Sequence, residues 1–239
     1  MIILAVDSTA VTAAAALCHD DAVIAQYTVN GAKTHSETLL PMAASLLRSA
    51  KLTTADVGLF AVSAGPGSFT GVRIGVSLIK GLAFNSGKPC AAVSSLEALA
   101  CNLEGMGGIV CPVMDARRGQ FYNALFRNGI RLTPDRLITA EELTRELAGY
   151  EEPIFFVGDG YEPARRLIAL PNLMETPPLL RRQNACSVAR CAWKQYQRGE
   201  GIFTDASLSP VYLRASQAER EREEAERAAR EQVPARTEF

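Results

Sequence analysis

The segment IILAVD at residues 2–7 is a short apolar run that ends in an aspartate, and IVCPVMD at residues 109–115 repeats this pattern. Each segment is followed by a second apolar run, a polar turn and a third apolar run, which is typical of three strands in a meander. The spacing from Asp7 to the first turn equals the spacing from Asp115 to the second. The sequence therefore predicts a structural unit that occurs twice.

The two copies stay in step beyond the meander. A helix is predicted at residues 35–50 and again at 140–147, followed by an apolar strand that ends in glycines, at 59–62 and 154–157, and then by another helix. Hairpin strands followed by parallel strands with helical crossovers form a mixed sheet. We expect an α/β fold made of two duplicated RNase-H-like halves.

The glycine-rich stretch EGMGG at residues 104–108 is the predicted linker between the halves. The expected domains are an N-terminal half at residues 1–105, a smaller half at 106–215 and a charged C-terminal tail at 216–239. Glu and Arg dominate the tail, and such a composition predicts a solvated helix.

Composition restricts the class of protein. Of the 239 residues, 48% are hydrophobic, and the formal net charge is -1. These values are typical of a globular chain and give no overall positive field for nucleic acid or an anionic membrane. No apolar run is long enough to span a bilayer, and the N-terminus lacks the features of a secretory signal. We therefore expect a cytoplasmic protein without membrane association, whose six cysteines stay reduced.

The most distinctive segment is SAGPGSFTGVRIG at residues 63–75. It lies between a predicted strand and a predicted helix, where backbone amides and hydroxyl groups suit an anion. It matches neither the Walker A pattern nor G-x-G-x-x-G. Two interpretations stay open: the loop faces a phosphate, or its glycines only permit a tight turn with close packing.

The two strand-end aspartates are expected to face each other across a cleft between the halves. That position suits a nucleotide, although Ser8 and Thr9 stand where working ATPases of this class usually have a flexible glycine. The nucleotide-binding candidates are Asp7, Ser8, Thr9, Gly65, Gly67, Ser68, Thr70, Gly71 and Asp115. For Asp7, the alternative interpretation is a turn residue.

Histidine content argues against one class of enzyme. His19 and His35 are the only histidines, so no helix can present the pair of imidazoles that a zinc peptidase needs. No Ser-His-Asp arrangement is indicated either. The sequence therefore predicts neither catalytic residues nor a metal site.

Several segments together resemble the TsaB family, which is also called YeaZ. They are ILAVDST at 3–9, HSE at 35–37, GPGSFTGVRIG at 65–75, VSSLEALA at 93–100, MDARRGQFYNALF at 114–126 and PVYLR at 210–214. The resemblance spans about residues 1–214, and GPGSFTGVR is its most specific part.

The resemblance implies a duplicated actin-like (ASKHA) fold, related to TsaD but without the metal-binding histidine pair of TsaD. It also implies a non-catalytic subunit that binds and activates TsaD and, with it, recruits TsaE. TsaD then transfers threonylcarbamoyl from its adenylate to the tRNA adenosine beside the anticodon. The chain would meet tRNA only through this complex and would form a homodimer in isolation. No cofactor would bind tightly, and ATP or ADP at the partner interface stays open.

The resemblance places the contact with TsaD, or with a second copy, on the first two helices. The candidate interface residues are His35, Leu39, Met42, Ala43, Leu46, Arg73, Ser77 and Lys80. The alternative is that these helix faces are buried in the chain's own core. Two other functions also stay open: an actin-like ATPase or sugar kinase that uses the two aspartates, and a glycoprotease-like metallopeptidase.

Overall fold

Two mixed β-sheets form the framework of the computed structural model, which describes residues 1–31 and 34–214. In chain order the strands are β1 (Ile2–Asp7), β2 (Thr12–His19), β3 (Ala22–Asn30), β4 (Leu59–Gly65), β5 (Cys90–Ser94), β6 (Ile109–Asp115), β7 (Gln120–Asn123), β8 (Phe126–Arg127), β9 (Ile130–Arg131), β10 (Arg136–Thr139), β11 (Ile154–Val157), β12 (Leu173–Met174) and β13 (Ile202–Phe203). The expected tail at 216–239 lies outside the described residues.

Within residues 34–214, six helices pack on these sheets. They are α1 (His35–Ser49), α2 (Phe69–Ala83), α3 (Ser95–Cys101), α4 (Ala140–Leu147), α5 (Tyr161–Leu167) and α6 (Ala185–Arg198), with a short 3-10 turn at Pro178–Leu180. The predicted capping box is present at α4, where Thr139 and Glu142 bond reciprocally. Within the described part of the chain, no helix combines the length and the apolar character needed to cross a membrane.

The two sheets share one topology. Their strand orders are β3-β2-β1-β4-β5-β13 and β10-β7-β6-β11-β12. In each, an antiparallel meander of three strands adjoins strands that run parallel to the first one. The shared order confirms the predicted α/β class and the duplication.

Helices cover both faces of the first sheet because its central strands are apolar on both sides. Leu4 and Leu17 pack against α1 and α2 on one face, whereas Ile3 and Ala16 pack against α6 on the other. The uninterrupted run Ala13–Leu17 in β2 is fully buried for this reason.

The third apolar run of the second copy, at 130–132, is not the third strand of its meander. β10 takes that place and pairs with β7. On its other side, β7 pairs with β6 along Val113–Asp115, which is the second half of β6. The first half of β6 pairs with β8 instead. The chain therefore makes a short β8–β9 hairpin before it returns as β10.

The predicted boundaries of the second domain, 106–215, are wrong at their C-terminal end. From Asn184, the N-cap of α6, the chain returns to the first half. Small side chains on α6 such as Ala185 and Ala189 pack against the alanine-rich face of the first sheet, and β13 extends that sheet beside β5. The first half is therefore built from both ends of the described chain.

Candidate functional site

A cleft of about 940 Å³ lies between the two halves. Its walls are the β1–β2 turn (Thr9, Ala10, Val11), the glycine loop before α2 (Pro66, Gly67, Ser68), the start of α2 (Phe69, Thr70, Arg73), the end of β6 with the following turn and β7 (Met114, Asp115, Ala116, Arg117, Tyr122), Asp159 after β11 and the C-terminal segment Val211, Tyr212, Leu213 and Arg214. We call this space the cleft below.

Asp7 does not face the cleft. Its side chain is buried, with the residue only 1% exposed. Oδ1 accepts hydrogen bonds from the Thr9 amide at 2.9 Å and the Thr9 hydroxyl at 2.7 Å, and Oδ2 accepts one from the Ser63 hydroxyl at 2.6 Å. Burial raises the pKa of the Asp7 carboxyl, while these hydrogen bonds oppose the rise. Asp7 thus links the β1–β2 turn to β4 by hydrogen bonds, in agreement with its interpretation as a turn residue.

The glycine loop is packed directly against the β1–β2 turn. The Ser68 amide donates to the Thr9 carbonyl at 2.7 Å, and the Ser8 hydroxyl donates to the Gly71 carbonyl at 2.8 Å. A Cβ at Gly71 would lie 2.0 Å from the Ser8 carbonyl oxygen, and one at Gly67 would lie 2.5 Å from that of Thr9. Only glycine permits this approach. The observed contacts therefore agree with the interpretation that these glycines permit close packing.

The amides at the start of α2 are partly used within the chain. α2 begins at Phe69, inside the glycine motif, and its N-cap Ser68 accepts a hydrogen bond from the Gly71 amide at 3.3 Å. The Ser68 amide is also used, because it donates to the Thr9 carbonyl at 2.7 Å. This end of the helix is therefore less available to an anion than the sequence motif alone suggests.

The structure separates the nucleotide-binding candidates into two groups. Thr9, Gly67, Ser68, Thr70 and Asp115 line the cleft. Asp7, Ser8 and Gly71 lie behind its wall, where they hold the β1–β2 turn, β4 and α2 together. Gly65 also lies outside the lining and packs against the Val211 carbonyl of the C-terminal segment.

Asp159 lines the cleft and has no counterpart among the sequence candidates. It follows β11, and its carboxylate accepts a hydrogen bond from the Gln183 amide at 3.5 Å. Burial raises the pKa of Asp159 to about 6, and the nearby charges of Asp115 and Asp7 act in the same direction. The signal in the sequence is the Gly158-Asp159-Gly160 tripeptide, which occupies in the second copy the place of the glycine loop in the first.

The C-terminal segment crosses the cleft and joins its two sides. The Tyr212 ring stacks on Phe69 with centroids 4.6 Å apart, and its hydroxyl accepts a hydrogen bond from Arg73 Nε at 2.9 Å. Two residues later, Arg214 donates to the Ala116 carbonyl at 3.3 Å. Arg73 lines the cleft from α2, whereas Tyr212 and Arg214 reach it through this long-range contact, which local sequence patterns do not indicate.

The amino-acid sequence is similar to those of known proteins of tRNA modification. The family model described as "TsaD: tRNA N6-adenosine threonylcarbamoyltransferase" matches residues 23–220. The "tRNA threonylcarbamoyladenosine biosynthesis protein TsaB" of Bacillus subtilis is 40% identical over 162 residues, which cover 66% of this chain and 71% of that relative. The chain belongs to the TsaB (YeaZ) family.

Solved structures support the same assignment. A Pseudomonas aeruginosa protein described as similar to "peptidase YEAZ" superposes with a TM-score of 0.78 at 27% identity, covering 89% of this chain and 99% of that one. The activator of the 2-hydroxyisocaproyl-CoA dehydratase from Clostridium difficile, solved with ADPNP, has a TM-score of 0.50 at 10% identity, covering 83% and 97%. The latter likeness concerns the fold alone, which is the duplicated actin-like fold expected of a TsaB-family chain.

For four of the candidate interface residues, the prediction that they lie on the surface is wrong. Leu39, Met42, Ala43 and Leu46 are buried in the core of the first half, because the apolar stripe of α1 faces the sheet. Leu40, at 50% exposure, is the large apolar residue that this helix presents to solvent.

The remaining interface candidates are wholly or partly accessible, and three of them also make contacts within the chain. Ser77 and Arg73 are exposed, and Arg73 contacts Tyr212 as described above. Lys80 Nζ donates to the carbonyls of Ala206 and Leu208, at 3.0 and 2.9 Å. His35 Nε2 lies 2.7 Å from the Ala10 carbonyl, to which it donates.

Metal-ligating side chains are not grouped within the described ranges 1–31 and 34–214. No three His, Cys, Asp or Glu side chains there are placed to hold a metal ion together. The two histidines lie on different elements, His19 at the end of β2 and His35 at the start of α1.

Proposed function

We propose that this TsaB-family chain is a non-catalytic subunit that binds and activates TsaD, together with TsaE, for threonylcarbamoylation of the tRNA adenosine beside the anticodon. The observation that carries the proposal is its 40% identity to a protein named for threonylcarbamoyladenosine biosynthesis. A net charge of -1 supports contact with tRNA through the complex rather than through this chain alone.

The wall of the cleft supports a non-catalytic role. Both carboxylate oxygens of Asp7 are occupied by Thr9 and Ser63, and the Ser68 amide is bonded to Thr9. Asp7 lies behind this wall, so the internal bond that a nucleotide phosphate would have to displace is the one from the Ser68 amide to the Thr9 carbonyl. We therefore expect no tightly bound cofactor in the isolated chain, and we place any ATP or ADP at the junction with the partner.

A surface on α1 and α2 suits the partner. We define the α1–α2 face as Leu40, Ala44, Ile74, Ser77 and Leu78, which are exposed or partly exposed on two adjacent helices. Apolar side chains at the centre of a patch with polar neighbours are typical of protein interfaces. We propose that TsaD binds this face and that a second copy of the chain occupies it when TsaD is absent.

Binding to purified TsaD and TsaE, followed by size-exclusion chromatography, tests this proposal. The unaltered chain is expected to co-elute with TsaD and to bring TsaE into the complex. Leu40→Arg places a charge in the proposed contact and is expected to weaken TsaD binding by about tenfold or more. The matched control is Leu179→Arg, because Leu179 is 96% exposed and lies in the second half.

The outcomes test two statements separately: that the chain binds TsaD, and that it does so through the α1–α2 face. If the folded, unaltered chain does not bind TsaD, the proposed function is wrong. If Leu40→Arg binds as well as the unaltered chain, the partner role stands and the α1–α2 face is wrong.

The open cleft with Asp115 and Asp159 favours one second candidate, an actin-like ATPase or sugar kinase. Carboxylates in such a cleft could hold a nucleotide-bound cation. Saturable ATP hydrolysis by the isolated chain, abolished in Asp115→Asn, would favour this candidate over the partner role.

A further inference from the structure

Strand β3 (Ala22–Asn30) forms a long free edge of the first sheet. It has nine residues and pairs with β2 on one side, and among residues 1–31 and 34–214 no strand pairs with its other side. The strands at the other sheet edges, β13, β10 and β12, have two to four residues each. The outer N–H and C=O groups of a free edge strand can pair with a further strand. β3 is therefore the longest site for strand addition in this part of the chain.

The side chains of β3 lack the features that usually protect a free edge. Charged residues and prolines hinder pairing there, and the strand sequence AVIAQYTVN contains neither. Four large apolar side chains are instead exposed by 40% to 55%, namely those of Val23, Ile24, Tyr27 and Val29. Pairing with another strand would remove part of this apolar surface from water, which favours coverage of the edge.

The regular part of β3 restricts the possible pairings. The register between β2 and β3 shifts between Leu17 and Cys18, so β3 is regular from Ala25 to Asn30. In an antiparallel pair the N–H and C=O groups of one residue point to the same neighbouring strand, and successive residues alternate between the two sides. An added strand must therefore align its outward-facing residues with those of β3. A second copy of β3 meets this condition when a two-fold axis passes through a residue rather than between two residues.

The side chains favour an axis at Tyr27. In that register Tyr27 lies opposite Tyr27 of the second copy, and Val29 lies opposite the small, half-buried Ala25. These residues share the face of β3 on the side of α1, because the β2 residues opposite them belong to the core beneath that helix. Aromatic and aliphatic cross-strand pairs of this kind stabilise a sheet. An axis at Gln26 would draw the irregular end of β3 into the pairing, and one at Thr28 would shorten the pairing.

We propose that β3 is a self-association site, at which a second copy of this chain adds its own β3 in antiparallel orientation, with the two-fold axis at Tyr27. The occupant is a second copy because one uncharged strand supplies both the matching hydrogen-bonding groups and the matching apolar side chains. The first sheets of the two copies then form one continuous sheet. β3 is not part of the α1–α2 face, so this proposal does not depend on the proposed function.

Cysteine substitution at the axis tests both the edge and the register. In the proposed pair, the Cα atoms of the two residues 27 are about 4.5–5.5 Å apart, a separation that a disulfide can span. The folded, full-length Tyr27→Cys chain is oxidised with copper phenanthroline, and its non-reduced peptides are mapped by mass spectrometry. We expect a dimer linked through residue 27 of both copies.

Val29→Cys is the matched control. Val29 and Tyr27 lie on the same face with exposures of 40% and 42%, and both variants keep the six native cysteines. The two residues 29 would be separated by about 14 Å along the strands, because each lies opposite residue 25 of the other copy. This variant is expected to give about tenfold less dimer linked through the new cysteine, since its sulfur atoms cannot meet in the proposed register.

A charge at the axis provides a second measurement. Leu40→Arg disturbs the α1–α2 face, and the chain with this substitution is expected to keep a dimer that light scattering detects at high concentration. Adding Tyr27→Lys places two ammonium groups opposite each other and is expected to abolish this dimer. Adding Ile130→Lys instead is the control, because Ile130 is 69% exposed on β9 in the second half, and the dimer is expected to persist.

Three results would overturn the proposal. Equal cross-linking of Tyr27→Cys and Val29→Cys would indicate random collision rather than a fixed register. A Leu40→Arg chain that is monomeric at high concentration would show that the edge does not pair. Hydrogen exchange of the β3 amides that is slowed by TsaD, but not by raising the concentration of the chain, would show that another protein covers the edge. Failure to bind TsaD would contradict the proposed function and leave these results unaffected.

Discussion

Asp159 is a carboxyl group that the fold keeps in the cleft at a cost in stability. Burial raises its pKa from 3.8 to about 6 in the folded chain. The folded state therefore holds this proton more tightly than the unfolded state does. The resulting stabilisation is complete below pH 3.8, and it is lost as the pH rises through about 6.

Asp159→Asn is expected to make the protein more stable at pH 7.5, by about 2 kcal/mol, because the charged form is no longer buried. Near pH 4 this gain should largely disappear. Urea denaturation at the two pH values measures the difference. Asp56→Asn is a control of opposite direction, since hydrogen bonds from Thr53 lower the pKa of Asp56. A gain for Asp159→Asn that is independent of pH would contradict this account of Asp159.

Single residues also show which parts of the candidate site can be predicted from sequence patterns. Thr9, Ser68 and Asp115 line the cleft as the motifs predict. Asp7 and Asp115 each accept a hydrogen bond from the amide two residues later, yet the Asp7 carboxylate is buried and also accepts a bond from Ser63. The partner Ser63 lies on a different strand, so the orientation of Asp7 depends on a tertiary contact that the repeat does not encode.

At the scale of elements, the fit of α2 against the β1–β2 turn can be tested with two of its glycines. Gly71→Ala is expected to destabilise the chain by about 2–3 kcal/mol, because the new Cβ would lie 2.0 Å from the Ser8 carbonyl oxygen. Gly81→Ala is the matched variant in the same helix, where a Cβ meets nothing within 4 Å. It should stabilise the chain by about 0.5 kcal/mol through helix propensity.

Thermal or urea denaturation of the two variants provides the measurement. Opposite signs are the expected result. Equal effects at Gly71 and Gly81 would show that the glycine motif is not needed for close packing, and would return the phosphate-facing interpretation to consideration.

Elements with a strong local signal are predictable, and those that depend on pairing are not. The capping residues Thr139 and Glu142 locate the start of α4 from sequence alone. The β8–β9 hairpin and β10 are different, since β6 is shared between β7 and β8. The buried side of α1 also depends on tertiary packing, and its apolar stripe is the core face rather than the free surface.

At the scale of the whole molecule, the internal repeat predicts the duplicated topology because both sheets follow the same strand order. It does not predict the return of α6 and β13 to the first sheet, because these elements follow the second copy and have no equivalent spacing in the first. The cleft is closed on one side by the same returning segment, so its C-terminal wall is a long-range feature.

Reconstituted threonylcarbamoyl transfer to tRNA tests the proposed function most directly. Threonylcarbamoyl-adenylate and tRNA would be incubated with TsaD and TsaE, with and without this chain, and also with this chain alone, and the modified adenosine would be measured. We expect modification only when TsaD and this chain are both present. Modification by this chain alone, or an equal yield from TsaD without it, would contradict the account.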